Sequence, residues 1–218
     1  MGTDNLHHKR KARTANKQKR RDAQRSPYDR VLIVCEGEKT EPNYFKELIR
    51  CYGINSANVE VADSRGSSPK NVLESAEKLA KRASKEGNPY DRIYCVFDKD
   101  SHASYSATVE KLTNKQHFYA CTSVPCFEYW LLLHFEYTTT PYHASGNRSI
   151  CTQVIKKLKS HIPNYEKGNK KIFDDLETKL GTAIENAKKA LSAANDIGED
   201  NPTTHAHELV EYLINLKK

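Results

Sequence analysis

Three acidic residues follow apolar segments at points where β-strands are expected to end. Glu36 and Gly37 come directly after the segment RVLIVC, and Asp98 and Asp100 follow the segment RIYCVF. In an open parallel sheet, the functional crevice lies outside the carboxyl ends of the strands. We therefore expect Glu36, Asp98 and Asp100 to meet at one edge of a sheet, with Gly37 allowing a tight turn or a positive φ after Glu36.

Acidic side chains gathered in this way point to a particular chemistry. Carboxylates that lie close together repel one another, which raises the pKa of at least one of them unless a cation neutralises the charge. Mg²⁺ is a hard cation that combines one or two carboxylates with waters and the phosphate oxygens of a substrate. Such a site suits phosphodiester hydrolysis, because the metal stabilises charge on the phosphate and lowers the pKa of the attacking water. The pattern therefore predicts a Mg²⁺ or Mn²⁺ site that cleaves phosphodiesters.

Two further glutamates stand at the start of the helix that is expected after the first strand. Acidic residues are favoured in the first turn of a helix by the helix dipole, so a structural role accounts for Glu38. For Glu41, a structural role and a role as a metal ligand are both open.

Glu128, His102 and two lysines are additional candidates. Glu128 lies in CFEYWLLLHF, a segment so apolar that an unpaired carboxylate there is costly. It is either a first-turn residue favoured by the helix dipole, or a ligand or close neighbour of the metal. His102 either contacts phosphate, orients a carboxylate, or has no chemical role. Lys39 and Lys99 either stabilise charge that develops on phosphate or are simply solvated.

Strand-like and helical segments alternate through the first part of the chain. This alternation predicts right-handed crossovers and an α/β fold with a mostly parallel four-stranded sheet flanked by helices. The expected strands are RVLIVC, NVEVAD, DRIYCVFD and FYACTSV, and the expected helices are EPNYFKELIRCY, SPKNVLESAEKLAKRASKEG, a segment near residues 103–115, and CFEYWLLLHFE.

From Thr138 onward the pattern changes to helices separated by polar loops. The expected helices are SICTQVIKKLKSHI, LETKLGTAIENAKKALSAAN and HAHELVEYLINLKK, with the polar stretch PNYEKGNKKIFDD before the second. A chain of 218 residues suits one compact domain. We interpret residues 28–137 as an α/β core, residues 138–218 as a helical appendage packed on that core, and residues 1–27 as a basic tail.

The net charge of +7 comes from the N-terminal tail. Residues 1–26 hold nine Lys or Arg against Asp4 and Asp22, which leaves the rest of the chain neutral. The tail has no apolar periodicity and is expected to be disordered or to fold only on a partner. It is either a solvated leader or an arm that binds phosphates by releasing counterions. The nucleic-acid-binding candidates are Lys9, Arg10, Lys11, Arg13, Lys17, Lys19, Arg20 and Arg21.

The cysteines and the hydropathy indicate a cytoplasmic protein. The six cysteines include no CxxC pair, which favours reduced thiols over a metal knuckle or disulfides. No apolar run approaches the roughly 20 residues that a membrane-spanning helix needs. The N-terminus also has no apolar segment of the kind found in secretory signals.

The motifs also carry a resemblance to known proteins. LIVCEG and YCVFDKD resemble the Toprim fold of topoisomerases, primases and OLD-type nucleases, and VLIVCEGEKTEPNYF, VFDKDSH, PCFEYWLLLHF and NPTTHAHELVEYL resemble the RloB-like family. The resemblance covers nearly the whole chain from about residue 30. It implies a Toprim-type nuclease of prokaryotic antiviral defence, commonly encoded beside an ABC- or AAA-type ATPase. It also implies that Glu36 is the acid–base or metal-linked glutamate, and that Asp98 and Asp100 are metal ligands.

Two other functions fit parts of the pattern. A haloacid-dehalogenase-like phosphatase also uses a strand followed by Asp-x-Asp, with Asp98 as the nucleophile here. Alternatively, the chain is a non-catalytic module that binds nucleic acid or an ATPase. The segment GEKT does not predict a nucleotide-binding loop, because it lacks the adjacent Gly-Lys order and the leading glycine.

Overall fold

The structure, a computed structural model, describes residues 28–64, 66–99, 102–144 and 149–216. Its first part alternates strands with helices, as the apolar patterns predict. Both faces of the first strand are buried, which explains why its sequence is a continuous apolar run. The elements are β1 (Val31–Cys35), α1 (Thr40–Cys51), β2 (Val59–Asp63), α2 (Pro69–Lys85), β3 (Arg92–Asp98), α3 (Tyr105–Thr113), β4 (Phe118–Val124) and α4 (Glu128–Leu132).

The second part is mainly helical. One helix, predicted within LETKLGTAIENAKKALSAAN, begins as a short 3₁₀ turn before it becomes α-helical, and Gly198 ends it in the left-handed conformation that glycine adopts easily. The elements are α5 (Ile150–His161), α6 (Ile172–Leu176), a 3₁₀ turn (Glu177–Lys179), α7 (Leu180–Ile197), β5 (Thr203–Thr204) and α8 (Ala206–Asn215).

The sheet has the strand order β2-β1-β3-β4-β5. Strands β1 to β4 are parallel, which confirms the predicted α/β class. Four strands were predicted, but the sheet has five, because the short strand β5 pairs antiparallel with the end of β4. Two residues are too few to show the alternation by which a strand is recognised in a sequence. The parallel pairing brings the carboxyl ends of β1 and β3 to the same edge.

Helix α4 is shorter than predicted. The apolar segment CFEYWLLLHFE suggests a helix of about three turns, but only residues 128–132 are α-helical. The helix then continues with 3₁₀-type hydrogen bonds, in which the backbone N–H groups of His134 and Phe135 donate to the carbonyls three residues earlier. Every residue of α4 is buried, so packing rather than amphipathic periodicity determines this segment.

Two hydrophobic clusters cover the two faces of the sheet. One joins Leu32 and Val34 to α2 and α3. The larger joins Ile33 and Val31 to α1 and α4 and continues without a break into α5, α7 and α8. The C-terminal helices therefore pack on one face of the sheet and share its core. Every helix among the described residues is too short or too polar to cross a bilayer.

Candidate metal site at the carboxyl ends of the strands

Glu36 follows β1 at the carboxyl edge of the sheet. Its backbone N–H donates to the carbonyl of Val96 at 2.9 Å, so the residue continues the pairing between β1 and β3. The backbone N–H of Asp98, the last residue of β3, donates to Glu36 Oε2 at 3.2 Å. The two strand ends predicted to meet are thus joined directly.

His102 holds the other carboxylate oxygen of Glu36. Its Nε2 lies 3.1 Å from Glu36 Oε1, and the Glu36 side chain is only 10% exposed. Three roles were considered for His102: contact with phosphate, orientation of a carboxylate, or no chemical role. Its position beside Glu36 fits the second of these roles. Glu36 is therefore fixed on one side by the β3 backbone and on the other by the imidazole.

Glu41 reaches the same place from the first turn of α1. Its side chain folds back over Gly37, where a Cβ atom would lie 2.3 Å from Glu41 Oε2. No real Cβ atom is accommodated at that distance, so Gly37 provides the space that the carboxylate occupies. Glycine is required here by a close approach, in addition to the turn expected from the sequence.

Glu128 is the first residue of α4 and is 2% exposed. Its Oε1 accepts a hydrogen bond from the hydroxyl of Tyr165 at 3.2 Å, and the ammonium of Lys167 lies 3.1 Å from the same atom. A buried carboxylate is tolerated when it is paired and hydrogen-bonded in this way. Both partners come from the loop between α5 and α6.

Burial and mutual repulsion raise the pKa values of two acids of the site. The pKa of Glu41 is raised from its ordinary value of 4.5 to about 7, mainly by burial and also by the carboxylates of Glu128 and Glu36, against the opposing effects of a backbone hydrogen bond and of Lys167. Burial, followed by repulsion from Glu41 and Glu128, raises the pKa of Asp98 well above its ordinary value. Acids gathered without enough cations behave in this way.

For Lys167, the same surroundings favour the charged form of the side chain. Burial by itself lowers the pKa of a lysine, but the neighbouring carboxylate of Glu128 outweighs it and raises the pKa of Lys167 above its ordinary value. This lysine therefore stays charged beside the acids.

The acids surround one cavity of about 520 Å³ at the carboxyl edge of the sheet. Acidic, basic and hydroxyl side chains all contribute to its walls, and the loop after β2 closes one side. The lining residues are Glu36, Gly37, Glu38, Lys39, Thr40, Glu41, Ser64, Gly66, Ser67, Asp98, His102, Phe127, Glu128 and Lys167.

The residues of this cavity fit a hard divalent cation in their chemistry. The donors are carboxylates, and burial and mutual repulsion raise the pKa values of two of them, Glu41 and Asp98, which is the environment that a cation relieves. Among the described residues, no three of these carboxylates bring their oxygens within 4.8 Å of one another. One or two carboxylates suffice for Mg²⁺, since waters complete its coordination. Glu36, Asp98, Glu41 and Glu128 are the residues that would hold it, and Asp100 lies outside the described residues.

The other predicted residues divide into three groups. Lys39 and Glu38 are exposed and line the cavity. Lys99 does not line it, and its ammonium instead lies 2.6 Å from Asp200 Oδ2. The candidates of the basic tail lie outside the described residues: Lys9, Arg10, Lys11, Arg13, Lys17, Lys19, Arg20 and Arg21.

Sequence reasoning did not identify Tyr165 and Lys167. They belong to the polar stretch PNYEKGNKKIFDD, which reads as an ordinary loop. The only signal in that stretch is Gly168, which has a φ of +84° and would place a Cβ atom 2.9 Å from the Cβ of Lys39. A glycine can indicate that another part of the chain packs closely against the loop, but it does not identify the residues that the loop contacts.

A second group of possible ligands lies between α1 and α6. Glu47, Cys51 and Asp174 bring one ligand atom each within 4.8 Å of the others. Arg50 already contacts Glu47 and Asp174, at 2.8 and 3.0 Å. The guanidinium neutralises these carboxylates, so the group is an ion-pair cluster that joins α1 to α6.

The fold and the site together define a Rossmann-like α/β protein with a carboxylate-lined cavity at the ends of its parallel strands. The family model described as RloB-like protein matches residues 31–213. Because that match spans most of the chain, the protein belongs to the RloB-like family, as the motifs predicted. No curated protein matches the chain.

Proposed function

We propose that this protein is a metal-dependent nuclease that hydrolyses phosphodiesters of DNA or RNA, tRNA included. The observation that carries the proposal is the meeting of Glu36, Glu41, Asp98 and Glu128, from four separate elements, around one cavity. The raised pKa values of Glu41 and Asp98 support a cation as a ligand of this cavity, because a cation stabilises carboxylates that burial and repulsion disfavour.

Each described residue has a role in this proposal that follows from its position. Asp98 would hold the metal with Glu41 and Glu128, and the family resemblance assigns Asp100 as a further ligand. Glu36 takes the proton of the attacking water, since the Asp98 N–H and His102 fix its carboxylate. Lys39 is an exposed residue of the cavity wall and would contact phosphate oxygens. When bound, Mg²⁺ or Mn²⁺ stabilises charge on the phosphate and lowers the pKa of water.

The test is cleavage of end-labelled DNA and RNA by the full chain with Mg²⁺, Mn²⁺ or excess chelator. Cleavage should require the metal, and Glu36→Gln should reduce the rate about 100-fold or more, the usual contribution of a general base. Asp98→Asn should abolish cleavage while the protein remains folded. Asp63→Asn is the matched control, because Asp63 is an exposed acid at the end of β2 that does not line the cavity.

The same experiment distinguishes the two other functions. Hydrolysis of a phosphomonoester with a trapped phospho-aspartate at Asp98 would identify a phosphatase instead. Metal-independent nucleic-acid binding without cleavage, unchanged in Asp98→Asn, would identify a binding module. Normal cleavage by Asp98→Asn would contradict the assignment of the site.

We further propose that a partner ATPase controls the nuclease during phage infection. The proposal rests on the resemblance to proteins encoded beside an ABC- or AAA-type ATPase. The test is to express the chain with and without its genomic neighbour, challenge the cells with phage, and sequence the new ends in both nucleic-acid pools. Equal cutting in both strains would contradict control by the neighbour.

A further inference from the structure

Among the residues that the structure describes, one cation of the C-terminal part, Lys167, reaches the acid cavity. Lys167 lines the cavity, and its ammonium lies 3.1 Å from Glu128 Oε1. Among the described residues of the cavity wall, it is the only lysine with an ion pair to one of the wall's carboxylates. The lysine side chain is 59% exposed, whereas Glu128 is 2% exposed. The pair therefore joins a buried acid to a base that can move into solvent.

The backbone that carries Lys167 is fixed. The N–H of Gly168 donates to Thr40 Oγ1 at 3.2 Å, and the side-chain amide of Asn43 donates to the carbonyl of Gly168 at 2.8 Å. Both contacts tie the loop to the first turn of α1, beside Glu41. The loop is thus anchored independently of the ion pair, so that only the lysine side chain has to move when the pair opens.

Glu128 keeps a second partner when Lys167 leaves. The hydroxyl of Tyr165 donates to the same oxygen at 3.2 Å. A carboxylate that keeps one hydrogen bond and exchanges one cation for another avoids being left buried and unpaired. The arrangement is suited to exchange between two cations.

We propose that Lys167 is an internal counter-ion of the cavity, and that a divalent cation takes its place beside Glu128. The inference rests on the proposed metal-dependent function and deepens it, because it names a residue that controls metal entry. Lysine and metal compete for the same negative charge, and each therefore weakens the binding of the other. Lys167 therefore sets the metal concentration at which the site becomes occupied.

The test measures Mn²⁺ binding to the full chain by calorimetry and by electron paramagnetic resonance, at pH 8 and without nucleic acid. Lys167→Met removes the charge but keeps an apolar stem, and should lower the dissociation constant on the order of tenfold. Lys167→Arg keeps the charge and should bind as the wild type does. Lys170→Met is the matched control, because Lys170 is an exposed lysine of the same loop that does not line the cavity.

A double-mutant cycle tests whether Lys167 acts through Glu128. In the Glu128→Gln background, Lys167→Met should change the Mn²⁺ dissociation constant much less than in the wild type. An equal change in both backgrounds would overturn the exchange at Glu128.

Wild-type protein supplies a measurement that does not depend on the folding of a variant. The ¹⁵N resonance of the Lys167 ammonium, assigned by its loss in Lys167→Arg, should shift when Mg²⁺ is added, while that of Lys170 should not. An unchanged Lys167 resonance at saturating Mg²⁺ would overturn the proposal.

Failure of this inference is distinguishable from failure of the proposed function. If wild-type protein binds Mn²⁺ and cleaves nucleic acid, but Lys167→Met binds Mn²⁺ with unchanged or lower affinity, the counter-ion role is wrong and the nuclease stands. If Mn²⁺ does not bind to the wild type at all, both are wrong.

Discussion

Replacing Glu41 by Gln should stabilise the metal-free protein at high pH. Glu41 is 7% exposed and its pKa is raised from 4.5 to about 7, with burial as the largest cause. Between these two pH values the folded protein binds more protons than the unfolded chain, so the free energy of unfolding falls as the pH rises. At pH 8 both states are ionised, and the folded state carries the whole penalty of the buried charge.

The size of the effect follows from the size of the pKa change. A rise from 4.5 to about 7 corresponds to about 3 kcal/mol when fully expressed. Part of the rise comes from Glu128 and Glu36, which adjust when Glu41 is neutral. We therefore expect Glu41→Gln to gain about 1–3 kcal/mol relative to the wild type between pH 5 and pH 8. Gln keeps the shape that packs over Gly37.

The assay is urea denaturation at pH 5, 6, 7 and 8 in the presence of a chelator. Glu38→Gln is the control, since Glu38 is an exposed acid in the connection just before α1 and should show no comparable gain. A difference between Glu41→Gln and wild type that is independent of pH would refute the reasoning. Adding Mg²⁺ at pH 8 should stabilise the wild type more than Glu41→Gln, because only the wild type has this charge to neutralise.

Three further predictions concern the surroundings of the site. Gly37→Ala should cost about 1–3 kcal/mol in urea denaturation, because its Cβ overlaps the Glu41 carboxylate, and the loss should shrink in the Gly37→Ala, Glu41→Ala double variant. Asp200→Asn should lower the free energy of unfolding by less than about 1 kcal/mol, because the ion pair of Asp200 with Lys99 is largely exposed. The same variant should leave Mn²⁺ affinity unchanged, and a large loss of affinity would place Lys99 in the site. Removal of residues 1–26 should weaken nucleic-acid binding and flatten its dependence on salt, with little change in melting temperature; a large fall in melting temperature would show that the tail is docked on the fold.

The alternation of strands and helices was readable from the sequence because each element has its own local pattern. The run VLIVC is buried on both faces and so has no polar positions, and α2 has an N-cap at Ser68 followed by a proline. Once the strands were assigned, the rule for parallel sheets placed Glu36 and Asp98 at one edge. Their hydrogen-bonded contact confirms that placement.

The sequence did not show which side chains pair with Glu128 and with Lys99, because the partners are far apart along the chain. Glu128 and Tyr165 are separated by 37 positions, and Lys99 and Asp200 by 101. Neither contact is accompanied by a sequence period or a characteristic spacing from which it could be predicted. The same physical reason explains β5, a two-residue strand that exists only because β4 offers it an edge. Local patterning determined the strands and the acids at their ends, whereas only the packing of the C-terminal helices on the sheet decided that Lys167 enters the cavity and that Lys99 does not.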